Sequence, residues 1–122
     1  MAANRQRGEV EFEAGGQTYV ARIDWNAIAL AEEAARCSYL DILDAFSSAP
    51  GEPLRVSIRI VRALLWAGLQ RSHPRVSLDD AGDLIGALGP LRAVDVVLGA
   101  LSAVLPVPED GDPPADPPTP AA

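Results

Sequence analysis

Residues Gly8–Asp24 read GEVEFEAGGQTYVARID, two alternating runs on either side of Gly15-Gly16. A glycine pair supplies two consecutive positive-φ positions, which a two-residue hairpin turn needs if its twist is to match the strands. Setting Ala14 opposite Gln17 brings Phe12 opposite Tyr19, Val10 opposite Ala21 and Gly8 opposite Ile23. The other face then pairs Glu13 with Thr18, Glu11 with Val20 and Glu9 with Arg22. One face is apolar and the other charged, and a slip of one residue would invert both. A lone hairpin is marginal in water, so this apolar face must rest on other elements.

Downstream of Asp24 the period becomes helical. Asp24 is placed to cap a first helix, DWNAIALAEEAAR, with Trp25, Ile28, Ala31 and Ala35 on its inward side. Ser38 and Asp41 have capping-box spacing for a short second helix, YLDILDAF, with Leu40, Leu43 and Phe46 facing inward. SSAPGEP is a loop by composition. A third helix, about Leu54 to Ser72, carries Val56, Ile58, Ile60, Val61, Leu64, Leu65 and Leu69. These cover about two-thirds of its circumference, which marks it as the central helix. His73-Pro74 closes it. Ser77 with Asp80 opens SLDDAGDLIGALG, Gly89 ends that helix, and Pro90 starts the last one. The last helix shows a stripe of Leu91, Val94, Leu98, Leu101 and Leu105, with Val97 and Val104 beside it.

The expected fold is therefore α+β and mainly α: an N-terminal hairpin packed on about five helices, in a single domain over residues 8–105. Residues 106–122 hold seven Pro and four acids, with no base. That composition cannot build a core and predicts a disordered acidic tail.

Charge narrows the function classes. The 122 residues carry 17 acids against 10 basic residues, all Arg, for a net charge of −7. Non-specific nucleic-acid affinity needs many cationic contacts, so neither nucleic acid nor a membrane surface is an expected partner. MAANRQRGEV lacks the apolar stretch of a signal peptide, and Ala63–Leu69 is far too short to span a bilayer. A single cysteine, Cys37, fits a reducing compartment, and the expected location is cytoplasmic.

Catalytic chemistry finds little to stand on. His73 is the lone histidine, sits in a loop-like SHPR segment and reads as an exposed loop residue. With no second His and no neighbouring Cys, no metal site or His-based triad is expected. Cys37 reads as a small boundary residue. No Lys is present for a Schiff base or a phosphate loop, and no GxGxxG occurs. The chain is expected to be no enzyme and to hold no cofactor. Asp79, Asp80 and Asp83 suit a helix start better than a calcium loop. Glu9, Glu11 and Glu13 form a row on one strand face, read as a solvated face that also discourages edge pairing.

One pattern points to a partner. Arg55, Arg59, Arg62 and Trp66 recur at spacings of four, three and four along the third helix, in the gap left by its apolar arc. Arg and Trp in one line have the composition of an interface hot region. The competing reading is that the Arg stems and Trp66 cover a neighbouring element.

Together these segments resemble the small tail proteins of gene transfer agents and related tailed phages. That family is described both as tail tube proteins and as tail assembly chaperones. The likeness covers about residues 8–105. It is carried by the hairpin running into a helix with Asn26 and Glu32-Glu33, by Leu64-Leu65-Trp66-Ala67-Gly68-Leu69, and by Ser77–Ile85, SLDDAGDLI. The resemblance implies a non-enzymatic role in a bacterial host cell: a tail assembly chaperone that binds the tape-measure protein. Contacts with other tail proteins, association with tail particles and a homo-oligomer are compatible with it. The alternative is a structural tail component, such as a tube subunit or terminator. A tube subunit polymerises edge to edge and needs a large sheet, whereas only two strands are predicted here.

Overall fold

The computed structural model describes residues 9–47, 51, 56–102 and 104. Strands β1 (Glu9–Ala14) and β2 (Gln17–Arg22) pair antiparallel in the expected register, from Ala14 opposite Gln17 to Glu9 opposite Arg22. Gly15 and Gly16 take φ of +59° and +79°, the left-handed pair that a tight turn of this twist demands. Phe12 and Tyr19 stack across the strands with ring centroids 5.4 Å apart. Phe12, Ala14, Ala21 and Ile23 are buried, while Glu11 and Glu13 face solvent. The Gly8 end of the register lies outside the described residues.

Five helices follow: α1 (Trp25–Ala35), α2 (Tyr39–Ala45), α3 (Ile58–Leu69), α4 (Leu78–Leu88) and α5 (Pro90–Leu101). The fold is thus a two-stranded hairpin on five helices. Three starts use the side chains read from the sequence. The Asp24 carboxylate accepts the Ala27 N–H at 2.9 Å. Ser38 with Asp41, and Ser77 with Asp80, form reciprocal capping boxes. The fourth start, Ser57 on α3, accepts the Arg59 N–H at 3.1 Å. At the end of α1, Arg36 adopts the left-handed conformation usually left to glycine, with φ +60°. Its N–H and that of Cys37 both reach the Glu32 carbonyl, which turns the chain into α2.

Helix α3 is the centre, as its broad apolar arc requires. It packs against α1, α4, α5 and β2, and Val61, Leu64, Leu65 and Leu69 are fully enclosed. Two glycines seat the hairpin. A Cβ added at Gly68 would lie 3.2 Å from Ile23 Cγ1, so the α3 backbone runs hard against the end of β2. A Cβ at Gly99 would lie 3.1 Å from Val10 Cγ2, which brings α5 equally close to β1.

Several sequence expectations are corrected. Helix α3 begins at the Ser57 cap and ends at Leu69, inside the wider Leu54–Ser72 span; Leu54 itself lies outside the described residues. Ile58, read as apolar arc, is half exposed at its first turn. Trp25, assigned inward, is 59% exposed: Ala27, Ile28, Ala31 and Ala35 define the buried side of α1, and Trp25 sits off it at the first position. In α2 the buried residue is Ile42, with Leu43 and Phe46 half-buried and Leu40 71% exposed. A helix this short buries one side chain fully, and Leu40 lies almost opposite Ile42 around the axis. On α5 the seam runs through Ala93, Val96, Val97, Ala100 and Leu101, with Val104 buried just past its end, leaving Leu91 85% exposed. Two alanines in that seam let helices approach closely, so the small side of α5 turns inward and the Leu91 end of the Leu stripe turns out. Leu105 and the acidic tail lie outside the described residues.

Candidate interaction surface

The Arg/Trp line sits on the outer side of α3, and its members have different surroundings. Arg59 is exposed near the start of the helix. Arg62 is half-buried: a Cβ at Gly82 would touch its Cδ at 3.4 Å, so its stem runs along α4. Trp66 is half-buried against the core. Just beyond it, the Gln70 amide donates to the Trp66 carbonyl at 3.1 Å and to the Val76 carbonyl at 2.9 Å. These bonds clamp the Gln70–Val76 connection over the end of α3. Arg55 lies outside the described residues. The stripe therefore offers Arg59 openly, with the Arg62 stem along α4 and Trp66 half-buried against the core.

His73 is not the exposed loop residue expected from its sequence context. It is half-buried, its Nε2 accepts the Val20 N–H at 3.1 Å, and its ring meets Tyr19 edge-on with centroids 5.1 Å apart. The lone pair needed for general-base work is thus directed at β2. It lines a groove of about 590 Å³ with Gln17, Tyr19, Arg75, Asp83 and Leu84. Periodicity gave no hint of this contact, because it joins residues 53 positions apart.

Tryptophan exposure is the other surprise. Trp25 projects from the start of α1 and meets Tyr39 edge-on, centroids 5.2 Å apart. Tyr39 is held in turn: its N–H donates to the Glu32 carboxylate at 2.8 Å, and its hydroxyl donates to the Val104 carbonyl. An aromatic pair whose Tyr39 is held at both ends, with most of Trp25 in solvent, is a preorganised contact feature.

Electrostatics mark two positions. Burial alone would raise the Asp24 carboxyl, but the Ala27 N–H, the hydrogen bond and charge of Arg71, and the charge of Arg22 outweigh it. The group is held below its ordinary value. The Arg71–Asp24 pair is 2.9 Å long and sits beside a recess of about 310 Å³ that Arg22, Asn26 and Leu30 also line. Burial, then the carboxylate of Asp41, push the Cys37 thiol up; Glu32 adds to this and Arg59 opposes it. Cys37 is therefore a poor thiolate former.

Among the described residues, no cluster of His, Cys, Asp or Glu could hold a metal ion. No single helix among them is long and apolar enough to cross a membrane. No family model matches the chain, and no curated protein or solved structure matches it.

Proposed function

We propose that this chain is a non-enzymatic binding module of the tail assembly chaperone kind. It holds apolar helical segments of a tape-measure protein during assembly of a phage-type or gene-transfer-agent tail. The sequence likeness over about residues 8–105 motivates the reading. The observation that carries it against the alternative is the sheet: two strands over the described residues, one bearing three glutamates. A tube subunit or terminator that polymerises through strand edges would need more sheet and less charge there. A small helical body with an acid-rich surface suits a chaperone that stays dissolved while holding apolar helices. Arg59, Arg62 and Trp66 on α3, with Arg55 ahead of them, are the first candidates for contact.

Co-expression of the full chain with the tape-measure protein of the same gene cluster tests this. The expected result is co-purification and a tape-measure protein that becomes soluble. Trp66→Ala should weaken that capture while leaving the helical circular dichroism in place. A chain that ignores the tape-measure protein and forms rings or tubes by itself would overturn the chaperone reading in favour of a structural tail subunit.

A further inference from the structure

The surface of α1 and α2 combines two features that the rest of the body lacks. Among the described residues, three of the five exposed large apolar side chains are here: Trp25, Leu30 and Leu40. The acid surplus is here as well. Residues 24–47 hold five carboxylates (Asp24, Glu32, Glu33, Asp41 and Asp44) against Arg36 alone. The remainder of residues 1–105 holds eight acids and nine Arg, so it is almost balanced. Among the described residues outside that segment seven acids face six Arg, so most of the negative charge lies on the α1–α2 segment.

The five acids are not equivalent. Asp24 is paired with Arg71. Glu32 accepts the Tyr39 N–H and Asp41 the Ser38 N–H. Glu33 and Asp44 are exposed. A shallow depression over the end of α1 and the turn after it is lined by Leu30, Glu33, Arg36 and Cys37. Exposed apolar side chains on a segment whose charge is mostly of one sign are complementary to a helix with an apolar stripe flanked by cations.

We propose that the α1–α2 face docks a cationic amphipathic helix of a partner protein. Trp25 and Leu40 serve as apolar anchors, and Glu33, Asp41 and Asp44 as the charged rim. Trp25 also offers an open ring face to an Arg or Lys of the incoming helix. This deepens the binding-module reading but does not require the partner to be a tape-measure protein.

The test uses the full chain and a synthetic amphipathic peptide about five turns long, Leu on one face and Lys on both flanks. Its controls are a twin with Glu for every Lys and a scrambled peptide of the same composition. Trp66→Phe leaves Trp25 as the sole indole, so binding is read from its fluorescence and checked by calorimetry. The expected result is binding of the Lys peptide alone, weakening as salt rises toward a Debye length of about 8 Å. Trp25→Ala and Leu40→Ser should each cost at least about tenfold in affinity. Asp41→Asn with Asp44→Asn should weaken binding and flatten its salt dependence. Because Trp25 and Leu40 are mostly in solvent, these variants should keep their helical signal. Equal binding of the Glu twin or the scrambled peptide overturns the proposal, as does indifference to Trp25→Ala and Leu40→Ser. Sedimentation showing Trp25 covered by a second copy also overturns it. If the Lys peptide binds through Trp25 and Leu40 while the chain fails to capture the tape-measure protein, the docking face stands and the chaperone reading falls.

Discussion

Replacing His73 by alanine should loosen the hairpin from the body, by an amount that the contacts set. In a two-residue hairpin the residues flanking the turn exchange both backbone bonds, so bonded pairs recur at Phe12–Tyr19 and Val10–Ala21. The Val20 N–H therefore points away from β1, and His73 Nε2 satisfies it at 3.1 Å. Loss of such a bond costs about 1 kcal/mol net, more if the donor stays dry. The edge-on contact with Tyr19 adds about 0.5–1 kcal/mol. His73→Ala should thus cost about 2 kcal/mol and move a urea midpoint down by about 1 M, given slopes of about 1–3 kcal/mol/M. Glutamine places an amide oxygen near the reach of Nε2 but has no ring, so His73→Gln should recover about 1 kcal/mol. Amide hydrogen exchange separates the two effects. The Val20 amide should lose protection in the alanine variant and keep most of it in the glutamine variant. Equal Val20 protection in all three proteins, or equal destabilisation by both substitutions, would refute the argument.

Asp24→Ala should cost about 1 kcal/mol through the lost helix cap, while Asp24→Asn keeps the cap and loses only a modest ion pair, since Arg71 is more than half exposed. Because the folded carboxyl lies below its ordinary 3.8, its charge-dependent stabilisation is complete above that value. It disappears as pH falls through the lower folded pKa, so wild type and Asp24→Asn should converge in acid, as read by thermal melts across pH. The phase of α5 is checked by a pair of truncations: Val97→Ala should cost about 2 kcal/mol and Leu91→Ala less than about 0.5 kcal/mol in chemical denaturation. Cys37 should react with a disulfide reagent near neutral pH more slowly than a free thiol, and Asp41→Asn should speed the reaction, because one carboxylate opposing the thiolate is removed.

The parts of the fold that could be read from the sequence are those fixed by neighbours within a few residues. The register of β1 and β2 followed from Gly15-Gly16 and strict alternation, because a one-residue slip would expose Phe12 and Ala21. The Ser38/Asp41 and Ser77/Asp80 boxes are three residues long and depend on nothing distant. What could not be read is which direction around a helix another element occupies. Helix α5 has apolar residues on more than one side, so its Leu stripe and its Ala93/Ala100 seam were both admissible. The close approach of α5 to Val10 at Gly99 accompanies the second. The His73–Val20 bond is of the same kind, since only the folded chain brings the 70s connection to the outer edge of β2.

The two tryptophans carry that lesson over to the interaction surface. Spacing along α3 put Trp66 in line with Arg55, Arg59 and Arg62, and helical periodicity put Trp25 with Ile28 and Ala31; both inferences used only the phase within one helix. Phase gives a direction but not what stands there. Trp66 is half-buried against the core, and the Gln70 amide that reaches Val76 also holds its carbonyl, so its contribution to binding competes with its contribution to packing. Beside Trp25 stands Tyr39, whose ring meets it edge-on, and most of Trp25 remains in water. Trp66→Ala is therefore expected to lower stability together with any binding it supports, whereas Trp25→Ala should act on binding with little change in stability. Measuring both quantities on both variants distinguishes a contact residue from a core residue, where a binding assay alone would not.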